Sequence, residues 1–300
     1  MPSEPALLAV DWGTSSLRAW VLDRDGAVLR RHAEAAGVGA LKPGAAEAFF
    51  RARIVPALQA EGLPALLCGM VGSTLGWSVA PYAACPADGD AVAAGLVPVG
   101  ERIAIVPGLR CDGPFGAPDV MRGEETQILG WLAGDPARRR GRHVLCLPGT
   151  HSKWVLVEEG RVVRFATSMT GELFELLRRQ GTLASDAPAD DHAAFARGLI
   201  AAGDGGALAA RLFGVRARAV TGAMPGTEAP AFLSGLLIGA EISSLSRLPG
   251  FDEGPVHLVG APVLTGLYAR ALGPRPHQEH EGEAAAIAGL LDLSRRWSHP

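Results

Sequence analysis

The sequence predicts an α/β protein built as two similar lobes. Three observations lead there. The 300 residues suffice for two ordinary domains. A strand–loop–hairpin unit occurs twice, about half a chain apart. The stretches after each copy carry apolar residues largely at helical spacing. With 48% hydrophobic and 20% charged residues, the chain can bury a large core and is not disordered as a whole.

The first copy opens with Leu7-Leu-Ala-Val-Asp11, an apolar run ending in an acid, and continues into Gly13-Thr-Ser-Ser16. Leu17 to Asp23 alternates as a strand does, Arg24-Asp-Gly26 supplies a turn, and Ala27 to His32 forms the returning arm. The second copy runs His143-Val-Leu-Cys-Leu147, Pro148-Gly-Thr-His-Ser152, Lys153 to Val157, Glu158-Glu-Gly160 and Arg161 to Phe165. Gly13-Thr14-x-Ser16 and Gly149-Thr150-x-Ser152 stand 136 residues apart, which points to a duplicated fold.

Residues 45–61 read as a helix despite Pro56, and 65–69 as a short buried strand. Residues 119–134 read as a helix with Ile128, Leu129 and Leu132 inward, and 230–248 as a long apolar helix. A strand over 256–260, a helix over 262–272 and a last helix over 281–296 follow. Residues 182–191 and 273–280 read as surface loops or crossings between lobes. The first lobe is expected to take in 1–142, including the loop 62–87, and to be completed by 281–300; the second takes in 143–280.

A net charge of −3 gives no general electrostatic attraction for nucleic acid or an anionic membrane. Residues 62–87 are uncharged but hold three prolines and four glycines, too many to span lipid. The opening Met1-Pro-Ser-Glu-Pro5 lacks the basic start of a signal peptide, so a cytosolic location is expected. Cys68, Cys85, Cys111 and Cys146 form no CxxC pair and read as reduced core or loop residues. Only Lys42 and Lys153 are lysines among 28 basic residues, a bias expected of a GC-rich genome.

Asp11 followed by Gly13, Thr14 and Ser15 gathers backbone N–H groups and hydroxyls around one point with a carboxylate behind them. That chemistry suits a phosphate and Mg²⁺. A second such loop, Gly149, Thr150, His151 and Ser152, suggests a clamp on nucleotide phosphates across a cleft. No GxxxxGK[ST] is present, so a P-loop is excluded. Gly260, after Val256-His-Leu-Val, either lets a purine lie over bare backbone or is an ordinary strand–helix turn.

The longer blocks are more specific. They are Asp11-Trp-Gly-Thr-Ser-Ser-Leu-Arg-Ala-Trp20, Gly69-Met-Val-Gly-Ser73, Asp119-Val-Met-Arg-Gly-Glu-Glu-Thr-Gln127, Cys146-Leu-Pro-Gly-Thr-His-Ser-Lys-Trp154, Met169-Thr-Gly-Glu172 and Phe232-Leu-Ser-Gly-Leu-Leu-Ile-Gly-Ala-Glu241. In this order the chain resembles the 2-dehydro-3-deoxygalactonokinases over about residues 6–291. The resemblance implies an actin-like ATPase/sugar kinase fold of two ribonuclease-H-like lobes with an interlobe nucleotide cleft. It further implies ATP and Mg²⁺ as cofactors and phosphorylation of the 6-hydroxyl of 2-dehydro-3-deoxy-D-galactonate.

The sequence departs from the superfamily pattern at Leu147-Pro148, where an acid usually starts the second loop. Asp11 is therefore the clearest metal-side carboxylate. A glutamate expected from the family stands here as Val79, which bears on the choice of sugar acid. Glu124 is favoured as the general base, with Glu125 next, because neighbours on a helix point about 100° apart; both also suit a helix N-terminus. Lys153 either touches a phosphate or decorates its strand, and His151 either donates to a phosphate or caps its turn. Arg18 and Arg122 are candidates for the substrate carboxylate. Ser73, Trp77 and Tyr82 line either a sugar site or a buried loop. Expected partners are small molecules only, with a homodimer compatible. A phosphohydrolase of the exopolyphosphatase type and a sugar-acid sensor without turnover are the competing readings.

Overall fold

The computed structural model describes residues 4–297. The reading made from Met1-Pro-Ser3 and the last three positions of the segment 281–300 lie outside the described residues. The chain divides into two compact units, Met1–Arg142 with Val157–Arg164 and Glu281–Pro300, and His143–Leu156 with Phe165–His280.

The first unit begins with β1 (Leu7–Trp12), β2 (Leu17–Leu22) and β3 (Val28–Glu34), an antiparallel meander with Asp11 opposite Arg18. Gly26 takes φ +94° in the β2–β3 turn, and the Asp23 carboxylate accepts from the N–H groups of Asp25 and Ala27. The helix read over 45–61 is α1 (Ala46–Phe49), a π-helical turn (Phe50–Ile54) and α2 (Val55–Ala57). Pro56 has no N–H to bond four residues back, and the ladder widens just before it.

β4 (Ala65–Cys68) is fully buried and runs parallel to β1. Next come β5 (Tyr82–Ala84), α3 (Gly89–Ala94), β6 (Val97–Gly100), β7 (Ile103–Ile105), β8 (Gly108–Asp112) and β9 (Pro118–Met121). They complete a six-stranded sheet in the order β3-β2-β1-β4-β7-β6 and a separate three-stranded sheet β5-β8-β9. Strand β9 corrects the helix read from residue 119. Met121 pairs with Leu109, and Gly123 at φ +106° separates the strand from α4 (Glu124–Ala133). The core of this unit joins Leu8, Val10, Trp12, Phe50, Ile54, Leu67 and Ile105, all buried.

The five-stranded sheet starts with β10 (Arg142–Leu147), β11 (Ser152–Glu158) and β12 (Arg161–Ser168). Glu159 and Gly160 both take positive φ, 47° and 74°, as a tight hairpin turn demands. Helices α5 (Thr170–Arg179), α6 (His192–Ala202), α7 (Leu208–Val220) and α8 (Ala229–Leu245) follow. After them come β13 (Val256–Gly260), α9 (Pro262–Leu272) and β14 (His277–Glu281). The sheet order is β12-β11-β10-β13-β14, with β13 parallel to β10. β14 corrects the loop read over 273–280. It is an edge strand of polar residues, so it lacks the apolar alternation that marks a half-buried strand.

The chain ends in α10 (Gly282–Arg296), part of the first unit. It crosses α4 at backbone contact: a Cβ on Gly130 would fall 1.8 Å from the Ala285 carbonyl oxygen, and one on Gly289 1.9 Å from that of Thr126. Glycine at both positions is what permits the crossing. Among the described residues no helix is long and apolar enough to cross a membrane.

Candidate active site

In the first unit the Gly13–Ser16 turn closes with a Gly13 N–H to Ser16 carbonyl bond of 2.9 Å and leaves Thr14, Ser15 and Ser16 exposed. Residues 36–39 brace it from behind. The Val38 and Gly39 N–H groups donate to the carbonyls of Gly13 and Thr14 at 3.0 Å, and the Trp12 indole donates to the Ala36 carbonyl at 2.9 Å. Gly37 sits so close that a Cβ there would lie 2.2 Å from the Thr14 carbonyl. The turn is therefore fixed with its polar side chains facing outward.

Asp11 lies at the end of β1. Its Oδ2 takes a 2.5 Å ion pair from Arg18 across the β1–β2 ladder, which engages one of the two arginines considered for the substrate carboxylate. Burial raises the Asp11 pKa, Arg18 opposes the rise, and the charges of Glu124 and Glu283 add to it. Glu283, on α10, is held by the Trp20 indole at 3.2 Å and Arg31 at 3.3 Å. Nothing in the linear sequence links Glu283 to Asp11; the packing of α10 supplies the link.

The two glutamates at the start of α4 differ. Glu125 is fully buried; its Oε2 accepts from the Gly123 N–H at 2.6 Å and its Oε1 from the Thr126 hydroxyl at 3.0 Å. Burial, with Glu124 beside it, pushes its pKa up to about 8. Glu124 keeps partial exposure, and its Oε2 accepts the Arg122 N–H at 3.1 Å.

A folded-state pKa above the unfolded value means that the native state holds a proton the unfolded chain has lost. Stability should therefore fall as pH rises from about 4.5 to about 8, by up to about 1.4 kcal/mol per unit, and level off above. Glu125→Gln is expected to flatten that slope in urea melts at stepped pH. An unchanged slope would remove Glu125 as its source.

Arg122 and Tyr82 are brought together: the guanidinium lies 4.4 Å from the ring centroid, and Nη2 donates to the Ala80 carbonyl at 2.7 Å. Arg122 Nε and Nη1 are buried without a hydrogen-bond partner. Ser73 and Trp77 are engaged elsewhere. The Ser73 hydroxyl bonds the Met70 carbonyl at 2.7 Å, and the Trp77 ring packs on Phe50 at 5.5 Å. Val79 is 63% exposed.

In the second unit the Pro148–Ser152 loop is braced by α5. The Glu172 N–H donates to the Thr150 carbonyl at 2.9 Å, and the Glu172 carboxylate meets His151 Nε2 at 2.6 Å. Gly149 and Thr150 remain accessible, and Gly260 lies beside Pro148, whose oxygen would be 3.6 Å from a Cβ placed there. Ser152 and Lys153 are turned inward. Residues on alternate sides of β11 are covered on both faces; Ser152 is buried against the Tyr268 hydroxyl at 2.7 Å, and Lys153 Nζ donates to the His151 carbonyl at 3.0 Å.

Among the described residues no group of three or more His, Cys, Asp or Glu side chains could hold a metal ion. Mg²⁺ at a nucleotide needs no such cage, since one or two carboxylates suffice when phosphate oxygens and waters complete its shell. Asp11 fits that role, because Glu124 and Glu283 crowd it with negative charge that a cation relieves.

The family model of the 2-keto-3-deoxy-galactonokinases matches residues 11–293. The 2-dehydro-3-deoxygalactonokinase of Escherichia coli (strain K12) is 38% identical over 284 residues, spanning 94% of this chain and 92% of that one. A Sinorhizobium meliloti crystal structure, provisionally assigned the same activity, superposes with a TM-score of 0.84 at 38% identity, covering 96% and 98% of the two chains. Component A of the Acidaminococcus fermentans (R)-2-hydroxyglutaryl-CoA dehydratase shares the fold alone, with a TM-score of 0.51 at 12% identity over 98% of this chain and all of that one. A match this complete, over elements that carry both Gly-Thr loops and the paired glutamates, places the chain in the 2-keto-3-deoxy-galactonokinase family.

Proposed function

We propose that the chain phosphorylates the 6-hydroxyl of 2-dehydro-3-deoxy-D-galactonate with ATP, giving the 6-phosphate and ADP, in the cytosol as a step of galactonate catabolism. The observation that carries this reading is the family match over residues 11–293. It favours the kinase over the phosphohydrolase and the sensor.

In this reading the backbone N–H groups of Gly13–Ser15 and Gly149–His151 hold the nucleotide phosphates, and Gly260 offers bare backbone to the adenine. Asp11 would hold Mg²⁺, which supplies charge neutralisation on the phosphates when bound. Glu124 accepts the proton of the sugar hydroxyl as its oxygen bonds to the γ-phosphorus, while the bond from that phosphorus to the ADP oxygen breaks. Glu125 does not take this role at neutral pH, since it is buried, protonated and hydrogen-bonded on both oxygens.

The substrate carboxylate is assigned to Arg122 rather than Arg18. Arg18 is committed to Asp11, whereas Arg122 has two N–H-bearing nitrogens without partners and a guanidinium oriented by Tyr82. Each of these nitrogens offers a charge-assisted N–H bond to a carboxylate oxygen. Arg122→Lys keeps the charge but loses the planar guanidinium that Tyr82 and the Ala80 carbonyl orient, so KM for the sugar acid should rise about 10- to 100-fold with KM for ATP unchanged.

The deciding experiment is an ADP-release assay with Mg·ATP against a panel of 2-keto-3-deoxy sugar acids and a no-sugar control. Turnover with the galactonate-derived acid alone is expected. Sugar-independent phosphate release would instead indicate a phosphohydrolase, and flat traces with every acid would indicate a sensor.

A further inference from the structure

Behind the second Gly-Thr loop lies a buried polar network to which the reaction above gives no role. At its centre is Glu241, the one charged residue of α8, set among Leu236, Leu237, Ile238 and Ala240 and 5% exposed. A carboxylate in such surroundings is tolerated only when its oxygens are hydrogen-bonded. Glu241 Oε1 accepts from the Trp154 indole at 2.9 Å, and Oε2 accepts from the Tyr268 hydroxyl at 2.8 Å and from the Thr170 hydroxyl. Burial raises its pKa and these donors oppose the rise.

Tyr268 spends its only hydroxyl proton on Glu241, and the Ser152 hydroxyl lies 2.7 Å from the Tyr268 oxygen and also bonds the Glu241 carboxylate. Thr170 likewise donates to Glu241, so Ser168 donates to Thr170 across 2.8 Å. One carboxylate thus ties together β11, β12, α5, α8 and α9.

Both ends of its reach touch the loop. Ser152 is the loop's last residue. Thr170 opens α5, whose Glu172 holds the Thr150 carbonyl and His151. We propose that Glu241 is a positioning residue for nucleotide binding. Its carboxylate holds the Gly149–Ser152 loop from two sides, through Tyr268 to Ser152 and through Thr170 to Glu172. The proposal rests on the reading of that loop as a phosphate loop. An amide in place of the carboxylate removes the charge that holds the Trp154, Thr170 and Tyr268 donors and must turn its NH₂ group toward either the two hydroxyls or the Trp154 indole, each of which is a donor there. At least one of those bonds must then reverse or break, and the loop loses its fixed geometry.

The test uses the full-length protein with ADP binding by calorimetry, KM for ATP and for the sugar acid, and melting temperature. Glu241→Gln is expected to weaken ADP binding and raise KM for ATP about 10-fold, with KM for the sugar acid within about 2-fold. Tyr268→Phe, which removes the tyrosine link to Ser152 but leaves Thr170 in place, should shift the same two quantities by less. A fall in melting temperature without a selective nucleotide effect in either variant would overturn the proposal. Should Glu241→Gln not fold, Tyr268→Phe and Thr170→Val carry the same reading. Gly149→Asp tests the loop itself, because it sets a negative charge beside the N–H groups that would hold the phosphates, at a position where a Cβ meets nothing within 4 Å: if it leaves ADP affinity unchanged, the phosphate-loop reading fails. If it weakens ADP binding while the network variants do not, only the positioning role fails.

Discussion

Glu124→Gln is expected to lower kcat by about 10²- to 10⁴-fold, the usual contribution of a general base, with both KM values little changed. Gln is isosteric and keeps a carbonyl oxygen for the Arg122 N–H that Glu124 accepts at 3.1 Å, so the start of α4 should hold its shape. What it lacks is a site for the hydroxyl proton. Glu125 is not placed to substitute, because both its oxygens are already hydrogen-bonded and burial holds it protonated up to about pH 8. Steady-state kinetics, with melting temperature as the folding control, decide the matter. A drop of less than about 10-fold would take the base away from Glu124.

Asp11→Asn is expected to lower kcat by about 10²- to 10³-fold and to raise the Mg²⁺ concentration needed for half-maximal rate at least about 10-fold. The asparagine keeps the shape beside Gly69 and one acceptor for Arg18, but removes the charge. Its effect on stability has two opposed parts. Arg18 loses an ion pair of 2.5 Å, while the repulsion among Asp11, Glu124 and Glu283 is relieved. These act within one region, so the melting temperature should move little compared with the rate. A variant that loses stability but keeps its Mg²⁺ dependence would make Asp11 a structural partner of Arg18 and nothing more.

Much of this arrangement is set by short-range sequence. The apolar run Leu7–Val10 before Asp11 and the run His143–Leu147 before Pro148 specify strands that stop at polar turns. Asp25-Gly26 and Glu159-Gly160 sit in the tight turns of the hairpins that follow. The register of the first hairpin even sets Arg18 opposite Asp11, a pairing six positions of β1 and β2 enforce together. Helix α9 and strand β13 were equally legible, because their start and stop signals lie within the elements themselves.

Other features depended on partners distant in the chain. Residues 119–121 pass for the start of a helix until β8 pairs with them, and 277–280 pass for a loop until they meet the edge of the five-stranded sheet. The same holds at the level of single side chains. Ser152 and Lys153 look like loop donors in the sequence, yet the packing on β11 turns both inward. Glu124 and Glu125 are adjacent and chemically identical; only the burial of Glu125 separates a partly exposed side chain from one that is held protonated. Glu241 reads as the polar end of an apolar helix until Trp154, Thr170 and Tyr268 converge on it. Sequence by itself determined which residue types stand at the strand ends, since backbone turns and hydrophobic runs are local. Tertiary structure decided which of those groups face solvent, what charge they carry and what holds them, since burial and long-range hydrogen bonds exist only once the elements pack.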